Sequence, residues 1–330
     1  MSNKIFITGG LGYLGSHFAK EAIKVGHKVC LYDSLVYEQD YETMMKEIGD
    51  AKLIIGDHRN TELLEKSIRD FKPDYVLHFG EFASVYAANH NPRLTCDNNY
   101  QSTVRVLELC ERLGIKVLWN SSSSLYGTQK TNKLMTEDDL IPEPTDEYVR
   151  NKIKVENYIK TRPKLKIVVF RPATIFGVAP RLRIDLLSNH FTYMAIAKGD
   201  VKIFDGNAYR ACLDIDELSQ MYLKVIKRGK WNHLIYNLGH HNMSKFEYAQ
   251  GVKNVVPCRL DASSDMSDPR NLRIDCSRFN DEFDFKYSSS YEDTIRKVEM
   301  WIRANLKTIE ANQFIGILTM PYSEWQRMCN

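Results

Sequence analysis

The sequence lacks a hydrophobic run long enough to cross a membrane. Its apolar stretches fall short of the roughly 18 residues that a spanning helix needs, and the mean hydropathy is −0.39. The first apolar run begins at Ile5, which leaves no room for the charged start of a signal peptide. We therefore expect a cytoplasmic protein without a membrane partner.

Cysteine is scarce and shows no pairing pattern. The 330 residues include seven cysteines, an odd number, and none stands in a Cys-x-x-Cys motif. Reduced thiols in a cytosolic protein fit this usage best. The neighbouring His240 and His241 have no cysteine or carboxylate at the spacing of a metal motif, so we predict no metal site.

An excess of charge of one sign is also missing. The formal net charge is +3, with 26% charged and 43% hydrophobic residues. So small an excess gives no reason to expect nucleic acid as a partner, but it is compatible with a phosphorylated small molecule. The composition is that of a globular protein with a full core, and the length predicts about two domains.

The stretch from residue 4 to residue 15 carries the first functional signal. The apolar run Ile5-Phe6-Ile7 predicts a buried strand, and an amphipathic segment from about 13 to 25 predicts a helix. Between them, glycines 10, 12 and 15 have the spacing Gly-x-Gly-x-x-Gly, and glycines 9, 12 and 15 have the spacing Gly-x-x-Gly-x-x-Gly. Such a turn lets backbone N–H groups at a helix N-terminus approach a pyrophosphate. We predict a dinucleotide site, with a glycine turn that serves packing alone as the alternative.

A carboxylate follows the second predicted strand. Residues 28–32 predict a strand that ends at Asp33, roughly where dinucleotide-binding folds place a carboxylate on the adenosine ribose. No arginine follows Asp33 directly, so a 2′-phosphate would meet uncompensated negative charge. The sequence therefore favours NAD over NADP as the cofactor.

Strands and helices alternate through the first half of the chain. Further strands are predicted at 51–55, 75–79, 115–119 and 166–170, with helices at 61–71, about 98–113 and about 147–160. This alternation predicts an α/β fold, a doubly wound parallel sheet of the Rossmann type with right-handed crossovers. We assign residues 1–177 to the sheet domain, to which 211–239 return. Most of 178–330 is assigned to a smaller, mixed α/β lobe that binds the substrate.

Two short motifs carry candidate chemistry. Tyr148 and Lys152 are four residues apart on a predicted helix and share one face. A tyrosine with its ordinary pKa of about 10 is a poor base at neutral pH, and a nearby ammonium lowers that pKa toward the working range. Four serines at 121–124 follow a predicted strand, at the end where open sheets bind ligands. We expect one of these hydroxyls to join the pair; a surface Tyr/Lys pair and a solvated serine turn are the alternatives.

In combination these motifs resemble a known family. The chain is similar, up to about residue 291, to the extended short-chain dehydrogenase/reductase family, and within it to the NAD-dependent nucleotide-sugar epimerases and dehydratases. The segments that carry the resemblance, in chain order, are Thr8-Gly9-Gly10-Leu11-Gly12-Tyr13-Leu14-Gly15, Gly56-Asp57, Ser122-Ser123-Ser124-Leu125-Tyr126-Gly127, Tyr148-x-x-x-Lys152 and Arg171-Pro172.

The resemblance implies a role for each candidate residue. Ser122, four positions before Tyr126, would be the catalytic hydroxyl, with Tyr148 as the acid/base and Lys152 as its partner. The residues expected to bind NAD are Gly9, Gly12, Tyr13, Leu14, Gly15, Asp33, Asp57, His58, Phe79, Asn99, Tyr148 and Lys152. The residues expected to bind a nucleotide-diphosphate sugar are Ser122, Ser123, Ser124, Thr174, Arg210 and Arg270. The two arginines would clamp the diphosphate, with exposed loop positions as the alternative.

Departures from the family pattern narrow the reaction. The family's 4,6-dehydratases carry an acidic residue just after the catalytic hydroxyl, where this chain has Ser123 and Ser124. The resemblance therefore favours C4 epimerisation of a nucleotide-linked hexose through a 4-keto intermediate. The alternatives are a 4-keto-sugar reductase, an epimerase at another carbon and a non-catalytic NAD-binding protein. Thr174 replaces the family's usual asparagine and Glu81 replaces a small residue, and these departures, with the unusual Arg181-Leu182-Arg183, leave the sugar open.

The resemblance also implies a partner of the same kind. Family members commonly form homodimers through two helices of the sheet domain. In this chain these would be the predicted helices at 98–113 and 147–160, in a four-helix contact.

Overall fold

A parallel β-sheet forms the centre of the protein. The computed structural model describes residues 2–37, 39–131, 133–263 and 271–312. The strands are β1 (Lys4–Thr8), β2 (Lys28–Asp33), β3 (Ala51–Ile55), β4 (Tyr75–His78), β5 (Lys116–Asn120), β6 (Ile167–Pro172), β7 (Thr174–Phe176), β8 (Asp200–Phe204), β9 (Tyr209–Asp214), β10 (Ile235–Leu238), β11 (His241–Ser244) and β12 (Arg259–Ser263). The helices are α1 (Tyr13–Lys24), α2 (Tyr41–Ile48), α3 (Thr61–Phe71), α4 (Val85–His90), α5 (Pro92–Cys96), α6 (Ser102–Leu113), α7 (Glu147–Lys160), α8 (Leu187–Lys198), α9 (Ile215–Arg228), α10 (Lys245–Val255), α11 (Ser277–Phe283) and α12 (Tyr291–Asn312).

The large sheet has the order β3-β2-β1-β4-β5-β6-β10, and every neighbouring pair is parallel. Ile5, Phe6 and Ile7 of β1 are fully buried, as expected of a strand whose two faces are both covered by helices. The strand order reverses between β1 and β4, and open α/β sheets bind ligands at the carboxyl edge beside such a point. The predicted Rossmann-type sheet is confirmed.

The later part of the chain builds a smaller, mixed lobe. β7 pairs with β9 in parallel and β9 with β11 in antiparallel fashion, while β8 pairs with β12. Helices α8, α10 and α12 pack together here, on a core that includes the fully buried Phe176, Val201, Tyr248 and Ile295. Between these elements the chain returns to the large sheet, where β10 pairs with β6. The division at residues 1–177, 211–239 and 178–330 stays a prediction.

The helix predicted from residue 98 starts as a π-helical turn at Asp97–Gln101, and α6 continues it from Ser102. Helix α8 starts at Leu187, after the loop that carries Arg183. There the Asn189 amide donates to the Arg183 carbonyl (2.9 Å) and accepts from Gly177 N–H (3.0 Å). These bonds satisfy the backbone of the preceding loop without helix geometry.

A buried ion pair ties helix α7 to the sheet. Arg171 on β6 donates two hydrogen bonds to Glu156 on α7, with Nε–Oε1 at 2.9 Å and Nη2–Oε2 at 2.7 Å. Both side chains are only 2% exposed. Burial opposes the charged form of Arg171, but the bonds to Glu156 outweigh it and raise the pKa of the guanidinium. Because Tyr148 and Lys152 lie on α7, this pair sets where the helix stands against the sheet.

Glu156→Ala should lower the free energy of unfolding by about 3–5 kcal/mol, because it leaves the Arg171 charge buried without its partner. Urea denaturation of the purified variant measures this. Glu299→Ala is the matched control, since Glu299 pairs with Arg303 on the exposed face of α12 and such pairs contribute about 0.5 kcal/mol or less. Equal stability of the two variants would contradict the role given to the buried pair.

Candidate active site

A cavity of about 570 Å³ opens at the carboxyl edge of the large sheet. It is bounded by the turn after β1, the segments that follow β4 and β5, the start of α7, and residues of the smaller lobe. The predicted site residues that line it are Gly9, Gly12, Tyr13, Leu14, Gly15, Asp33, His58, Phe79, Ser122, Ser123, Ser124, Tyr148, Lys152, Thr174 and Arg210. The fold thus brings most of the predicted residues to one place.

The glycine turn is shaped by close backbone contacts. Gly9 has a φ of +65°, and a Cβ there would lie 2.7 Å from the backbone of Phe79 and Gly80. A Cβ on Gly15 would lie 2.2 Å from the Gly9 carbonyl oxygen. Helix α1 then begins after Gly12, which supplies no side-chain cap. Packing requires the glycines at 9 and 15, and the same turn leaves the N–H groups of α1 facing the cavity, which suits a dinucleotide pyrophosphate.

Asp33 ends β2 and lines the cavity beside this turn. Its carboxylate accepts from Leu11 N–H and Leu35 N–H, both at 2.9 Å. The side chain is nearly buried, and this burial raises the pKa of the carboxyl group. These bonds hold the two oxygens in place at the cavity wall, and carboxylate oxygens have further lone pairs for ribose hydroxyls.

An arginine from a distant loop lies on the same side of the cavity. Arg181 follows β7 and its guanidinium lies 4.0 Å from the centre of the Tyr37 ring. It is 9% exposed, lines the cavity, and has no hydrogen bond or ion pair with any residue that the structure describes. Burial lowers the pKa of Arg181. Because Arg181 is far from Asp33 in the chain, the residues directly after Asp33 give no sign of it.

Two residues predicted to bind NAD do not line the cavity. The Asp57 carboxylate is held by Arg59, with its Nε at 3.1 and 3.0 Å and its Nη2 at 2.8 Å. Asn99 bonds the backbone of Phe82, accepting from its N–H and donating to its carbonyl, each at 2.9 Å. Its neighbour Asn98 lines the cavity instead. Asn99 therefore supports the segment after β4, and cofactor contacts by Asp57 and Asn99 stay predictions.

The predicted Ser/Tyr/Lys group converges on the cavity from two elements. Ser122 follows β5 and its Oγ accepts from Ser124 N–H at 3.1 Å, which opens the 3₁₀ turn Ser123–Tyr126. Tyr148 lies in the first turn of α7, where the Asp146 carboxylate caps the helix by accepting from Val149 N–H at 2.9 Å. Lys152 is one turn further along, with its ammonium 5.7 Å from the centre of the Tyr148 ring.

The Lys152 ammonium also contacts three residues other than Tyr148. It donates to the Glu81 carboxylate and to the Asn120 carbonyl, and it lies 4.7 Å from the centre of the Trp119 ring. Glu81 follows β4 and also lines the cavity. In the sequence, Glu81 stands out only as a departure from the family pattern. A charged residue shortly after an apolar strand is the one sequence feature that indicates a role at this edge of the sheet.

Thr174 and Arg210, which are predicted to bind the substrate, line the cavity. Arg210 Nη1 donates to the Tyr209 carbonyl at 3.1 Å. Arg183, which was not assigned a role, also lines it and is paired with Asp185. Arg270 lies outside the described residues. The predicted contact of Arg270 with the diphosphate therefore stays a prediction.

The described residues include neither a membrane-spanning helix nor a cluster of metal ligands. Across residues 2–37, 39–131, 133–263 and 271–312, no helix is both long and apolar enough to span a membrane. Over the same ranges, no three His, Cys, Asp or Glu side chains come together in a way that could hold a metal ion. His240 instead stacks between His241 and Tyr287, with ring centres 3.8 and 3.9 Å apart.

Comparison with known proteins gives relatives along nearly the whole chain. The protein CapI of Staphylococcus aureus is 25% identical over 332 residues, which cover 90% of this chain and 98% of CapI. The UDP-glucose 4-epimerase of Lactobacillus helveticus is 26% identical over 336 residues, covering 93% and 99%.

Solved structures share the fold at lower identity. The UDP-glucose 4-epimerase of Thermotoga maritima, solved with UDP-glucose, has a TM-score of 0.81 at 21% identity and covers 92% of this chain and 99% of its own. The dTDP-glucose 4,6-dehydratase of Bacillus anthracis, solved with NAD, has a TM-score of 0.80 at 22% identity and covers 94% and 100%.

The profile that matches the sequence is that of the NAD dependent epimerase/dehydratase family. The match runs over residues 5–239, and so includes the glycine turn, Asp33, Ser122, Tyr148 and Lys152. The chain belongs to the NAD-dependent epimerase/dehydratase family.

Proposed function

We propose that this protein inverts C4 of a nucleotide-diphosphate hexose through a transient 4-keto sugar, using NAD that stays bound. The observation that carries the proposal is the convergence of Ser122, Tyr148 and Lys152 on the cavity that the glycine turn also lines. The UDP-glucose 4-epimerase of Lactobacillus helveticus supports it as a relative. The glycine turn, the start of α1 and Asp33 would hold the NAD.

The proposed chemistry assigns one task to each residue. NAD, when bound, supplies the hydride acceptor and later the hydride donor. Tyr148 takes the proton of the C4 hydroxyl as the C4–H hydride leaves, so that a C4 carbonyl forms, and Ser122 orients that oxygen by hydrogen bonding. The sugar then turns over, and Tyr148 returns the proton to the C4 oxygen as hydride arrives on the other face. Lys152 keeps a positive charge beside Tyr148 throughout.

The residues beside Ser122 weigh against dehydration. Elimination of water across C5 and C6 needs an acid and a base near those atoms. Ser123 and Ser124 line the cavity at the positions where the family's dehydratases carry an acidic group. A hydroxyl with its ordinary high pKa does not perform that step, so the proposed net reaction is inversion.

The alternatives are a 4-keto-sugar reductase and an epimerase acting at another carbon. A reductase must exchange its cofactor in every cycle, whereas an epimerase recovers its NAD and can keep it. The nicotinamide content of the purified protein separates the two. Incubation with UDP-, GDP-, CDP- and dTDP-hexoses, followed by NMR of the products, then identifies the base, the sugar and the carbon.

The substrate diphosphate is proposed to lie toward Arg210 and Arg183, two of the three described arginines that line the cavity; the third, Arg181, is assigned to the cofactor. A guanidinium suits a diphosphate because it donates two parallel hydrogen bonds to neighbouring oxygens. Arg270 is proposed to join them, as the resemblance implies.

Tyr148→Phe should reduce turnover by about 10²–10⁴-fold, because the proton acceptor is lost while the ring remains. NAD affinity should stay within a few-fold, since the rest of the binding site is intact. Product formation by NMR and calorimetric titration with NAD measure the two. Tyr158→Phe is the matched control, because Tyr158 lies on the same helix and bonds Glu108 outside the cavity. Near-normal turnover in Tyr148→Phe would overturn the assignment.

Arg181→Met should weaken NAD binding by about 10- to 100-fold, because a charged hydrogen bond to a phosphate or ribose oxygen contributes about 1.5–3 kcal/mol and methionine keeps the packing on Tyr37. Calorimetric titration with NAD is the measurement. Arg303→Met changes an exposed arginine on α12 and should leave the affinity unchanged. Equal affinity in wild type and Arg181→Met would show that Arg181 serves something other than the cofactor.

We also propose a homodimer formed through α6 and α7. The two helices lie side by side, joined by the Arg162–Glu111 pair and by a hydrogen bond from Tyr158 Oη to Glu108 at 3.0 Å. Two such helix pairs would form a four-helix contact. Light scattering on the eluting protein should give twice the chain mass of 38.3 kDa; a mass of one chain at micromolar concentration would exclude the dimer.

A further inference from the structure

We propose that Glu81 is a positioning residue, which holds the Lys152 ammonium beside Tyr148 and offsets part of its charge, and so sets the pH range in which Tyr148 accepts a proton. The inference rests on the active site of the proposed function. It concerns a residue whose identity departs from the family pattern, so it describes how this chain differs from its relatives.

Glu81 and Lys152 form a buried ion pair. Glu81 Oε2 accepts a hydrogen bond from Lys152 Nζ, and each of the two side chains is only 5% exposed. The same ammonium donates to the Asn120 carbonyl. Two of its three N–H groups are thereby committed to the protein, and one is left for the cavity. Glu81 therefore fixes where that last donor points.

The Glu81 carboxylate is itself anchored by other side chains. Its other oxygen, Oε1, accepts from Trp119 Nε1 at 2.7 Å and from Thr103 Oγ1 at 3.0 Å. The donors come from β5, α6 and α7, so three elements hold one carboxylate. Because every partner is a donor, the arrangement requires the ionised acid, which accepts hydrogen bonds only.

Other titratable groups lie around Glu81. His78 Nε2 lies 3.9 Å from Glu81 Oε1, and His78 is held by Thr103 at 2.8 Å and Thr8 at 2.6 Å. The Thr103 hydroxyl donates to Glu81, so it accepts from His78 Nε2–H, and His78 Nδ1 accepts from Thr8. Burial holds the pKa of His78 well below its usual value, so the imidazole is neutral.

His58 is the next titratable group, with its ring 5.3 Å from that of His78. Burial also lowers the pKa of His58. Asp57 and Arg59 also act on His58 and pair with each other. The ion pair that contacts this point directly is that of Glu81 and Lys152, and Tyr148 lies beside its ammonium.

The consequence follows from the signs of these charges. The Lys152 ammonium favours the Tyr148 phenolate, and the Glu81 carboxylate opposes it. Removing the negative charge while keeping the shape makes the site more positive. In Glu81→Gln the amide oxygen can accept from Lys152, while the NH₂ group takes the place of Oε1 and loses the bond from Trp119. The negative charge is gone, so we expect the Tyr148 phenolate to form at a lower pH, by about one unit.

The test is a spectroscopic titration that needs neither substrate nor cofactor. The near-ultraviolet phenolate absorbance is followed against pH for wild type and for Glu81→Gln, and each curve is corrected by the same protein carrying Tyr148→Phe. We expect the midpoint of the Tyr148 titration to lie about one pH unit lower in Glu81→Gln than in wild type. An unchanged midpoint, or a move to higher pH, overturns it.

Glu156→Gln provides the matched control. It removes the carboxylate charge of the other buried ion pair on α7, which lies outside the cavity. We expect lower stability and an unchanged Tyr148 midpoint. A shift equal to that of Glu81→Gln would mean that loosening α7, rather than the charge of Glu81, moves the titration.

A second variant covers the case in which Glu81→Gln does not fold. Glu81→Met with Lys152→Met replaces the ion pair by apolar side chains, a change that buried pairs often tolerate. The Tyr148 midpoint of this double variant should lie above that of wild type, because the nearby ammonium that favours the phenolate is gone. It should lie below that of Lys152→Met alone, because the Glu81 carboxylate that opposes the phenolate is gone as well. Identical midpoints in the double and single variants would show that Glu81 contributes nothing.

The outcome is independent of the proposed reaction. If the midpoint shifts as expected but no nucleotide sugar is turned over, the role of Glu81 stands and the proposed function fails. If sugars are inverted at C4 but the midpoint does not move, the proposed function stands and the inference about Glu81 fails.

Discussion

The close approach of the first strand–helix turn to the segment after β4 is the constraint on which the site depends. The Gly9 backbone packs against Phe79 and Gly80 so tightly that a Cβ would lie 2.7 Å from main-chain atoms. This contact brings the N-terminus of α1 next to the segment that carries Glu81. The place predicted to bind the dinucleotide and the place that holds Lys152 are therefore parts of one packed unit, and a larger residue at position 9 would disturb both.

Three buried basic side chains, Arg171, Lys152 and Arg181, fall into two groups. The Arg171–Glu156 and Lys152–Glu81 pairs have partners within the protein, and both attach α7 to the sheet. Arg181 packs on the Tyr37 ring and makes no direct ion pair with a described residue, while the charges of Asp33 and Asp185 act on it without a direct bond. Burying a charge without a paired partner is costly, and an anionic ligand would relieve part of that cost. The first group gives the helix its position, and Arg181 gives the cavity an unused positive charge.

The sequence predicted what local patterns determine. Apolar runs gave the six alternating strands, and the helix spacing of Tyr148 and Lys152 placed both side chains on one face. It could not predict Arg181 beside Tyr37 or the contact between Glu81 and Lys152, which are 71 positions apart, because such contacts depend on how the sheet closes. Asp57 shows a further contact that the motif alone does not reveal. Arg59, two residues later, binds its carboxylate, and the cofactor contact of Asp57 stays a prediction.

The central claim is that hydride leaves C4 and returns to C4 of the same sugar while Tyr148 moves the proton. A nucleotide hexose labelled with deuterium at C4 tests it most directly, with the position of the label followed by NMR and without added cofactor. The inverted product should keep deuterium at C4, because the hydride would be held by bound cofactor and would not exchange with water. Loss of the label to solvent, or a stoichiometric need for added reduced cofactor, would contradict it.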